Sequence, residues 1–410
     1  MKCIVPGVQL TRACLLGCGA ALVLTAAGCN GASQTNGPST ASGNGAGGAA
    51  QDGRLEQMRS SLDEQNVVGP TAADRLGYRI AWNIPTNVPA GLHVTNTAII
   101  GDSIFSIDST NTLSRTTRDS GRRIWQWPVG SQIDKIHGIN RTILGGVDTV
   151  IVTSETNVHL FDASNGVLMN QHRLSQVAST SPLLSGGSLI YGTIAGNLVW
   201  YNYAFGSEVA GYGLNGAITA APQIIDNTVV VATDRGQVMA LTARQPLQIW
   251  NRNAQASIQV APTIGPGVVY VASEDQHLYA FSLADGRTVW RAVHSVPLQS
   301  RPTYLENRVY QFVPSVGMVC YDAFSPGRLE GTMLWTQPDL QGEILAASDG
   351  RILVWHADSR TLSIADQATG DVIESVSLPR VRHLLMDDSA GREIYAVGDR
   401  GGITRLIRRN

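Results

Sequence analysis

Short runs of apolar residues, separated by turns rich in Gly, Asp, Asn and Ser, recur along most of the chain. The two most similar copies are AAPQIIDNTVVVATDRGQVMALTARQPLQIW and VAPTIGPGVVYVASEDQHLYAFSLADGRTVW, and their prolines, Pro222 and Pro262, lie forty residues apart. Apolar residues dominate the inner runs of each copy, as in buried strands. A repeat of about forty residues with four short strands is typical of one blade of a β-propeller.

Two sequence markers set the register of the repeat in the rest of the chain. The first is a residue that usually follows a turn Gly by four positions and is Trp in the clearest units. It is Trp82, Trp125, Trp250, Trp290 or Trp335, and Asn170, Ala210 or Glu374 in three degenerate units. The second is a Pro at the start of a strand, at positions 182, 222, 262 and 302, where its missing N–H removes no ladder bond.

The two ends of the repeat region complement each other. Seven complete units extend from about residue 91 to 379, and the last unit, 380–410, has three strands and no Trp strand. The isolated strand 78–84 supplies the missing strand. We therefore predict an all-β fold over residues 78–410, an eight-bladed β-propeller of four-stranded antiparallel blades. The ring is closed by an N-terminal strand, since an open ring would leave unpaired edges. Seven blades stay an alternative if a degenerate unit is misassigned.

Residues 1–29 have the features of a secretory signal peptide. A short basic segment precedes an apolar run over 13–27, which is shorter than the roughly twenty residues of a membrane span. The run ends in LTAAGC, which resembles a bacterial lipobox, although Ala26 stands where Leu is commoner. The resemblance implies that Cys29 is lipidated and anchors the chain in a membrane. A soluble secreted protein is the alternative.

The segment that follows Cys29 is predicted to separate the folded part from the anchor. Residues 30–53 are rich in Gly, Ala, Ser and Asn and cannot bury a core, so they are expected to form a flexible tether. Residues 54–66 are predicted to form a short amphipathic helix with Leu55, Met58 and Leu62 on one face, which packs on the propeller or binds a partner.

Composition and motifs narrow the classes of function. The net charge of −2 provides no basic field for nucleic acid, and no nucleic-acid partner is expected. Four of the five cysteines precede residue 30, so no disulfide forms within the propeller. No nucleophile-elbow, zinc-protease or phosphate-loop motif is present. We predict no catalytic residue, no metal and no cofactor.

Three residues stand out at one position of the repeat. Cys320 occupies the position of Ala240 and Ala280, where a small buried residue is expected, so its predicted role is structural. Arg115 and Arg405 occupy the same position in the first and last blades, which ring closure makes neighbours. Two cations there predict a polar patch or an anion site. The alternative is that these two units are misaligned by one residue.

The Trp residues divide into two groups. Those that follow the blade period are predicted to pack between blades, because each ring buries a large area. Trp200 and Trp355 lie outside this register. We favour core packing for both, with a surface role as the alternative.

The unit VYVASEDQHLYAFSLADGRTVW resembles the PQQ-like, or quinoprotein-type, propeller repeat, and the likeness extends over about residues 78–410. In one branch of this superfamily, the quinoprotein dehydrogenases, pyrroloquinoline quinone and calcium lie on a disulfide of adjacent cysteines, a pair that this chain lacks. The other branch comprises outer-membrane assembly lipoproteins of the BamB type, which are lipidated and non-enzymatic. The signal, lipobox, size and blade number are similar to the second branch, whereas the long tether and the helix depart from it.

The second resemblance implies a non-enzymatic scaffold, anchored in the cell envelope at the outer membrane, that binds protein partners as a monomeric propeller. The implied process is outer-membrane protein assembly. The alternatives are a quinone-dependent, dehydrogenase-like propeller and a carbohydrate or cell-wall binder with aromatic residues grouped on one face. Because the most regular repeats carry structure, we expect functional residues in loops and in units that depart from the repeat.

Overall fold

The computed structural model describes residues 46–85 and 88–409. Two helices precede the β-structure, α1 (Ala46–Gln65) and α2 (Pro70–Arg75). Helix α1 begins eight residues before the predicted position 54, within the segment that the sequence assigned to the tether. None of the helices in the described residues is long and apolar enough to cross a membrane.

The strands form eight four-stranded antiparallel sheets, each of which is one blade. Blades 1 to 4 comprise β2 (Val94–Ile100), β3 (Ser103–Asp108), β4 (Thr112–Thr117), β5 (Arg123–Pro128); β6 (Ile136–Leu144), β7 (Val147–Ser154), β8 (Asn157–Asp162), β9 (Leu168–Arg173); β10 (Leu183–Ser185), β11 (Ser188–Gly192), β12 (Asn197–Asn202), β13 (Ser207–Gly213); and β14 (Gln223–Ile225), β15 (Thr228–Ala232), β16 (Gln237–Thr242), β17 (Gln248–Asn253). Blades 5 to 8 comprise β18 (Thr263–Gly265), β19 (Val268–Ala272), β20 (His277–Ser282), β21 (Thr288–Val293); β22 (Thr303–Leu305), β23 (Arg308–Val313), β24 (Gly317–Asp322), β25 (Met333–Gln337); β26 (Glu343–Ser348), β27 (Arg351–His356), β28 (Thr361–Asp366), β29 (Val372–Ser377); and β30 (Val381–Met386), β31 (Glu393–Gly398), β32 (Ile403–Arg408), β1 (Tyr78–Ile84).

Blade 8 joins the two ends of the propeller. Strand β1 pairs antiparallel with β32, so that Tyr78 lies opposite Arg408 and Ile84 lies opposite Ile403. The N-terminal strand therefore supplies the fourth strand that the last unit lacks. The predicted eight blades and the closing strand are confirmed, and the seven-blade alternative is wrong.

One cross-strand pair recurs between the third and fourth strands of every blade, and the ladder shifts register beside it. The eight pairs are Arg115–Trp125, Leu160–Asn170, Trp200–Ala210, Ala240–Trp250, Ala280–Trp290, Cys320–Trp335, Ile364–Glu374 and Arg405–Trp82. The register predicted from the markers is thus confirmed in all units. The alternative that the two arginine units are misaligned is wrong.

Where the fourth strand of a blade carries the marker Trp, its side chain connects that blade to the next. Trp290 Nε1 donates to the carbonyl oxygen of Ala323 at 2.9 Å, and Trp250 Nε1 donates to that of Leu283 at 2.8 Å. The turn glycine of the following blade lies against the ring, since a Cβ atom on Gly286 would lie 2.6 Å from Trp250 Cδ2. The same N–H bond is made by Trp82, Trp125 and Trp335, and the same ring contact by Gly121, Gly166 and Gly370.

The hydrophobic core is divided among the spaces between blades. Between blades 4 and 5, for example, buried Val230 and Trp250 pack with Val269 and Tyr279. Burying one such large apolar side chain contributes about 1.5–3 kcal/mol. Each blade junction therefore carries its own share of the stability of the ring.

Helix α1 is held by polar contacts. Arg59 forms an ion pair with Asp74 of α2. Leu55, Met58 and Leu62, the predicted apolar face, are 64%, 60% and 43% exposed. The expectation that this face packs on the propeller is therefore wrong for the described residues.

Candidate functional site

Arg115 lies at the junction of blades 1 and 2. Its Nε donates to Ser103 Oγ at 2.8 Å, and its Nη1 donates to the carbonyl oxygen of Ala163 in blade 2. Its Nη2 is 3.3 Å from Asp102 Oδ2. A hydrogen bond from Arg141 of blade 2 to the same carboxylate lowers the pKa of Asp102 to about 2. Asp102 is therefore ionised and shared by arginines of two blades.

Arg405 lies one junction earlier, between blades 8 and 1. Its Nη2 is 2.7 Å from Glu393 Oε1, and its Nη1 donates to the carbonyl oxygen of Arg118 in blade 1 at 3.3 Å. The Nε of Arg118 donates in turn to the hydroxyl of Tyr395 at 2.7 Å. Burial opposes the charge on Glu393, but the hydrogen bonds from Arg405, Tyr395 and Arg118 together lower the pKa of Glu393 to about 2. This network joins the last blade to the first.

The two arginines occupy equivalent positions but do not share a partner. Arg115 and the indole of Trp125 donate to the same carbonyl oxygen, that of Ala163. At the junction of blades 8 and 1, Arg405 and the indole of Trp82 likewise both donate to the carbonyl oxygen of Arg118. Both guanidinium groups are mostly buried and already bound to carboxylate and carbonyl oxygens. The arrangement supports a role in holding neighbouring blades together, and an anion site at either arginine stays a prediction.

Of the two cysteines singled out by the sequence, the structure describes only Cys320. Cys29 lies outside the described residues. Cys320 is fully buried opposite Trp335, and its burial raises the pKa of the thiol to about 12. A buried neutral thiol at this position has the packing role that the repeat predicted.

The Trp residues outside the register are both buried. Trp200 is 1% exposed and Trp355 is 8% exposed. Trp200 Nε1 donates to the carbonyl oxygen of Ala243 in blade 4 at 2.6 Å, the bond that a fourth-strand Trp makes elsewhere. Core packing is confirmed for both side chains, and the surface alternative is wrong.

The described residues do not fit the quinone site of the quinoprotein branch. They contain no group of three or more His, Cys, Asp or Glu side chains that could hold a metal ion. Cys320 is the one free cysteine among them and is buried in a blade, so the disulfide of adjacent cysteines has no counterpart.

The outer strands of blades 2 and 3 form the candidate functional surface. We call it the rim patch and define it as Val167, Leu168, Met169, Phe205 and Val209. These side chains are 50%, 47%, 41%, 81% and 57% exposed, respectively. Strands β9 and β13, which carry three of them, are the two outer strands of the described blades without a buried residue.

The rim patch lies on two consecutive blades whose fourth strands lack the Trp of the repeat. Asn170 and Ala210 stand where other blades bury a Trp, so β9 and β13 have no large ring to anchor them inward. The two blades are in contact there, since a Cβ atom on Gly206 would lie 2.2 Å from His172 Nδ1. The sequence already showed the degenerate units GVLMN and GSEVA, but it did not show that their apolar side chains are exposed.

Comparisons with known proteins agree with this architecture. The family model of the outer membrane protein assembly factor BamB matches residues 193–329, which extend from blade 3 into blade 6. No curated protein sequence matches the chain.

Two solved structures share the fold over most of the chain. BamB from Moraxella catarrhalis is 18% identical with a TM-score of 0.63, and the alignment covers 80% of this chain and 99% of that chain. The computationally designed Ika8 protein is 14% identical with a TM-score of 0.63 and the same coverage. Such identities establish the fold alone. The chain is therefore an eight-bladed propeller that resembles BamB in its fold and, over residues 193–329, in its repeats.

Proposed function

We propose that this protein is a non-enzymatic propeller scaffold that binds protein partners in the cell envelope. The observation that carries the proposal is the rim patch, a set of exposed apolar side chains on two consecutive blades whose fourth strands lack a buried residue. Large exposed apolar side chains on the outer strands of adjacent blades favour an interaction surface. The propeller supplies a rigid support, because a cluster of buried apolar side chains fills each junction between blades.

We propose further that the partner takes part in outer-membrane protein assembly, as the description of BamB states for that protein. Lipidation of Cys29 would anchor the propeller at the outer membrane, with residues 30–45 as a spacer. The propeller acts as a monomer, because the closed ring leaves no blade incomplete among the described strands. The likeness of fold and repeat supports this finer assignment.

The test is site-specific photocrosslinking in the full chain, followed by affinity purification from detergent-solubilised envelopes. A photoreactive residue at Phe205, which is 81% exposed, should capture a partner, whereas one at Ile373 of blade 7, which is 51% exposed, should not. The double variant Leu168→Glu, Phe205→Glu should lose the partner, and Ile373→Glu is the matched control. Equal capture at both positions would remove the rim patch as the binding surface.

The identity of the captured protein tests the finer assignment. A component of barrel assembly supports it, and a partner without that role contradicts it while leaving the scaffold function in place. The dehydrogenase alternative predicts dye-linked oxidation on addition of pyrroloquinoline quinone and calcium. The carbohydrate alternative requires aromatic side chains grouped on the surface, whereas the ring stacks at blades 5 and 6 involve the buried Tyr279, Phe281, Trp290 and Tyr321.

A further inference from the structure

A pocket of about 220 Å³ opens at the junction of blades 7 and 8, where the two ends of the propeller meet. Its floor is apolar and consists of Ala346, Leu353 and Ile364, which are 1%, 9% and 8% exposed. Its lining also includes Tyr78 at the start of the closing strand. The volume is below the ~300–1,000 Å³ that is usual for drug-sized ligands, so the pocket suits one end of a ligand.

The rim of this pocket is cationic, because Arg351, Arg408 and Arg409 line it. Arg408 Nη2 is 2.9 Å from Asp349 Oδ2, a carboxylate that is 78% exposed. Arg409 forms an ion pair with Asp74.

The carboxylates around the rim are fewer than its arginines. Asp74 is shared between Arg409 and Arg59 of α1. Arg351 is exposed and has no ion-pair partner among the described residues. Three guanidinium groups therefore share two carboxylates, and the fourth, that of Arg351, has none, which leaves excess positive charge at the mouth.

In blade 6, the arginine at the position equivalent to Arg351 binds the neighbouring blade, whereas Arg351 does not in the described part of the chain. Arg308 begins the second strand of blade 6, as Arg351 begins that of blade 7, and each pairs with the last residue of the third strand. The guanidinium of Arg308 donates to the carbonyl oxygen of Gln367 in the next blade. Arg351 makes no such bond among the described residues and is directed to the pocket instead.

We propose that this pocket binds the head of a phosphate-bearing amphiphile. The guanidinium groups of Arg351 and Arg408 hold the phosphate oxygens, since planar guanidinium donors match phosphate in paired hydrogen bonds. The first part of the apolar group lies on Ala346, Leu353 and Ile364. A phospholipid headgroup and a soluble alkyl phosphate share this chemistry.

The test is calorimetric titration of the full chain with octyl phosphate below its micelle concentration. Saturable binding is expected, and Arg351→Ala should weaken it about ten-fold or more, because a charge-assisted hydrogen bond is lost. Arg351→Lys should weaken it less, since the charge is kept. Arg287→Ala, at an exposed arginine of blade 5, is the matched control and should leave binding unchanged.

Further ligands test separately the contribution of the phosphate group, the contribution of the apolar chain, and whether the natural ligand is a lipid or a soluble molecule. Inorganic phosphate and octyl glucoside should each bind at least about ten-fold more weakly than octyl phosphate, because each lacks one half of the recognition. Cosedimentation with phosphatidylglycerol vesicles that depends on Arg351 assigns the site to a lipid headgroup, and binding of octyl phosphate alone assigns it to a soluble ligand. Absent binding, equal binding by Arg351→Ala, or equal binding of inorganic phosphate would overturn the proposal.

Discussion

Trp200 lies directly opposite Ala210 in blade 3, the reverse of the Ala240–Trp250 pair in blade 4. Its indole still reaches the next blade, where Nε1 donates to the carbonyl oxygen of Ala243 at 2.6 Å. The large ring and the bond to the next blade are therefore kept although the ring comes from the other strand of the pair. Blade 3 is degenerate in sequence but complete in this packing.

The exchange of Trp200 and Ala210 tests this compensation. Trp200→Ala should lower the free energy of unfolding by about 3–5 kcal/mol, the usual effect of removing a buried Trp. Ala210→Trp in the Trp200→Ala background should recover part of the loss, because it restores the arrangement of blade 4. Thermal and urea unfolding of the single and double variants measure both effects, and a double variant no more stable than Trp200→Ala would contradict the compensation.

The turn glycines that lie against Trp rings predict a second difference in stability. Gly286 has a φ of 69° and Gly267 has a φ of 72°, so an added Cβ meets similar backbone strain of about 1–2 kcal/mol at both. A Cβ atom on Gly286 would also lie 2.6 Å from the Trp250 ring, whereas one on Gly267 would have no heavy atom within 4 Å. Gly286→Ala should therefore cost about 1–3 kcal/mol more than Gly267→Ala. Equal melting temperatures of the two variants would show that the ring contact relaxes freely.

The carboxylate of Glu393 predicts a pH-dependent contribution to ring closure. Burial opposes its charge, but Arg405, Tyr395 and Arg118 lower its folded-state pKa to about 2, below the value of about 4.3 expected in the unfolded chain. Its contribution to stability is thus complete above that unfolded value and is lost as pH falls towards 2. Glu393→Gln should melt below the wild type at pH 7, and the gap should narrow at pH 3.

A control variant separates this effect from general acid destabilisation. Glu56→Gln changes an exposed glutamate of α1 and should leave the melting temperature close to that of the wild type at both pH values. A gap for Glu393→Gln that stays constant from pH 7 to pH 3 would contradict the assigned ion pairs.

The buried thiol of Cys320 predicts protection from alkylation. Because burial raises its pKa to about 12, little thiolate is present at neutral pH and the sulfur is shielded from reagent. Iodoacetamide should leave the Cys320 peptide unmodified in the folded protein and modify it after unfolding in urea. Mass spectrometry of the peptides measures this directly, and rapid modification in the folded state would contradict the structural role.

Much of the fold could be predicted because its signals are local. The proline, turn and Trp markers of one blade lie within forty residues, and the strand 78–84 could be matched to the three-stranded last unit without any contact being known. The candidate site was less accessible. Arg115 and Arg405 were placed in the right positions, but their partners come from other turns and blades, such as Asp102 and Arg118, which the register does not name.

By itself, the sequence determined the all-β class and the register of the repeat and favoured eight blades over seven, because the markers of each blade lie within about forty consecutive residues. Only the tertiary structure decided what lies between blades. The bond from Trp200 to Ala243, the exposure of Leu168 and Phe205, and the apolar floor beneath Arg351 all depend on side chains from separate units meeting in space. These contacts depend on how whole blades pack against one another, and the sequence of a single forty-residue unit does not specify that packing.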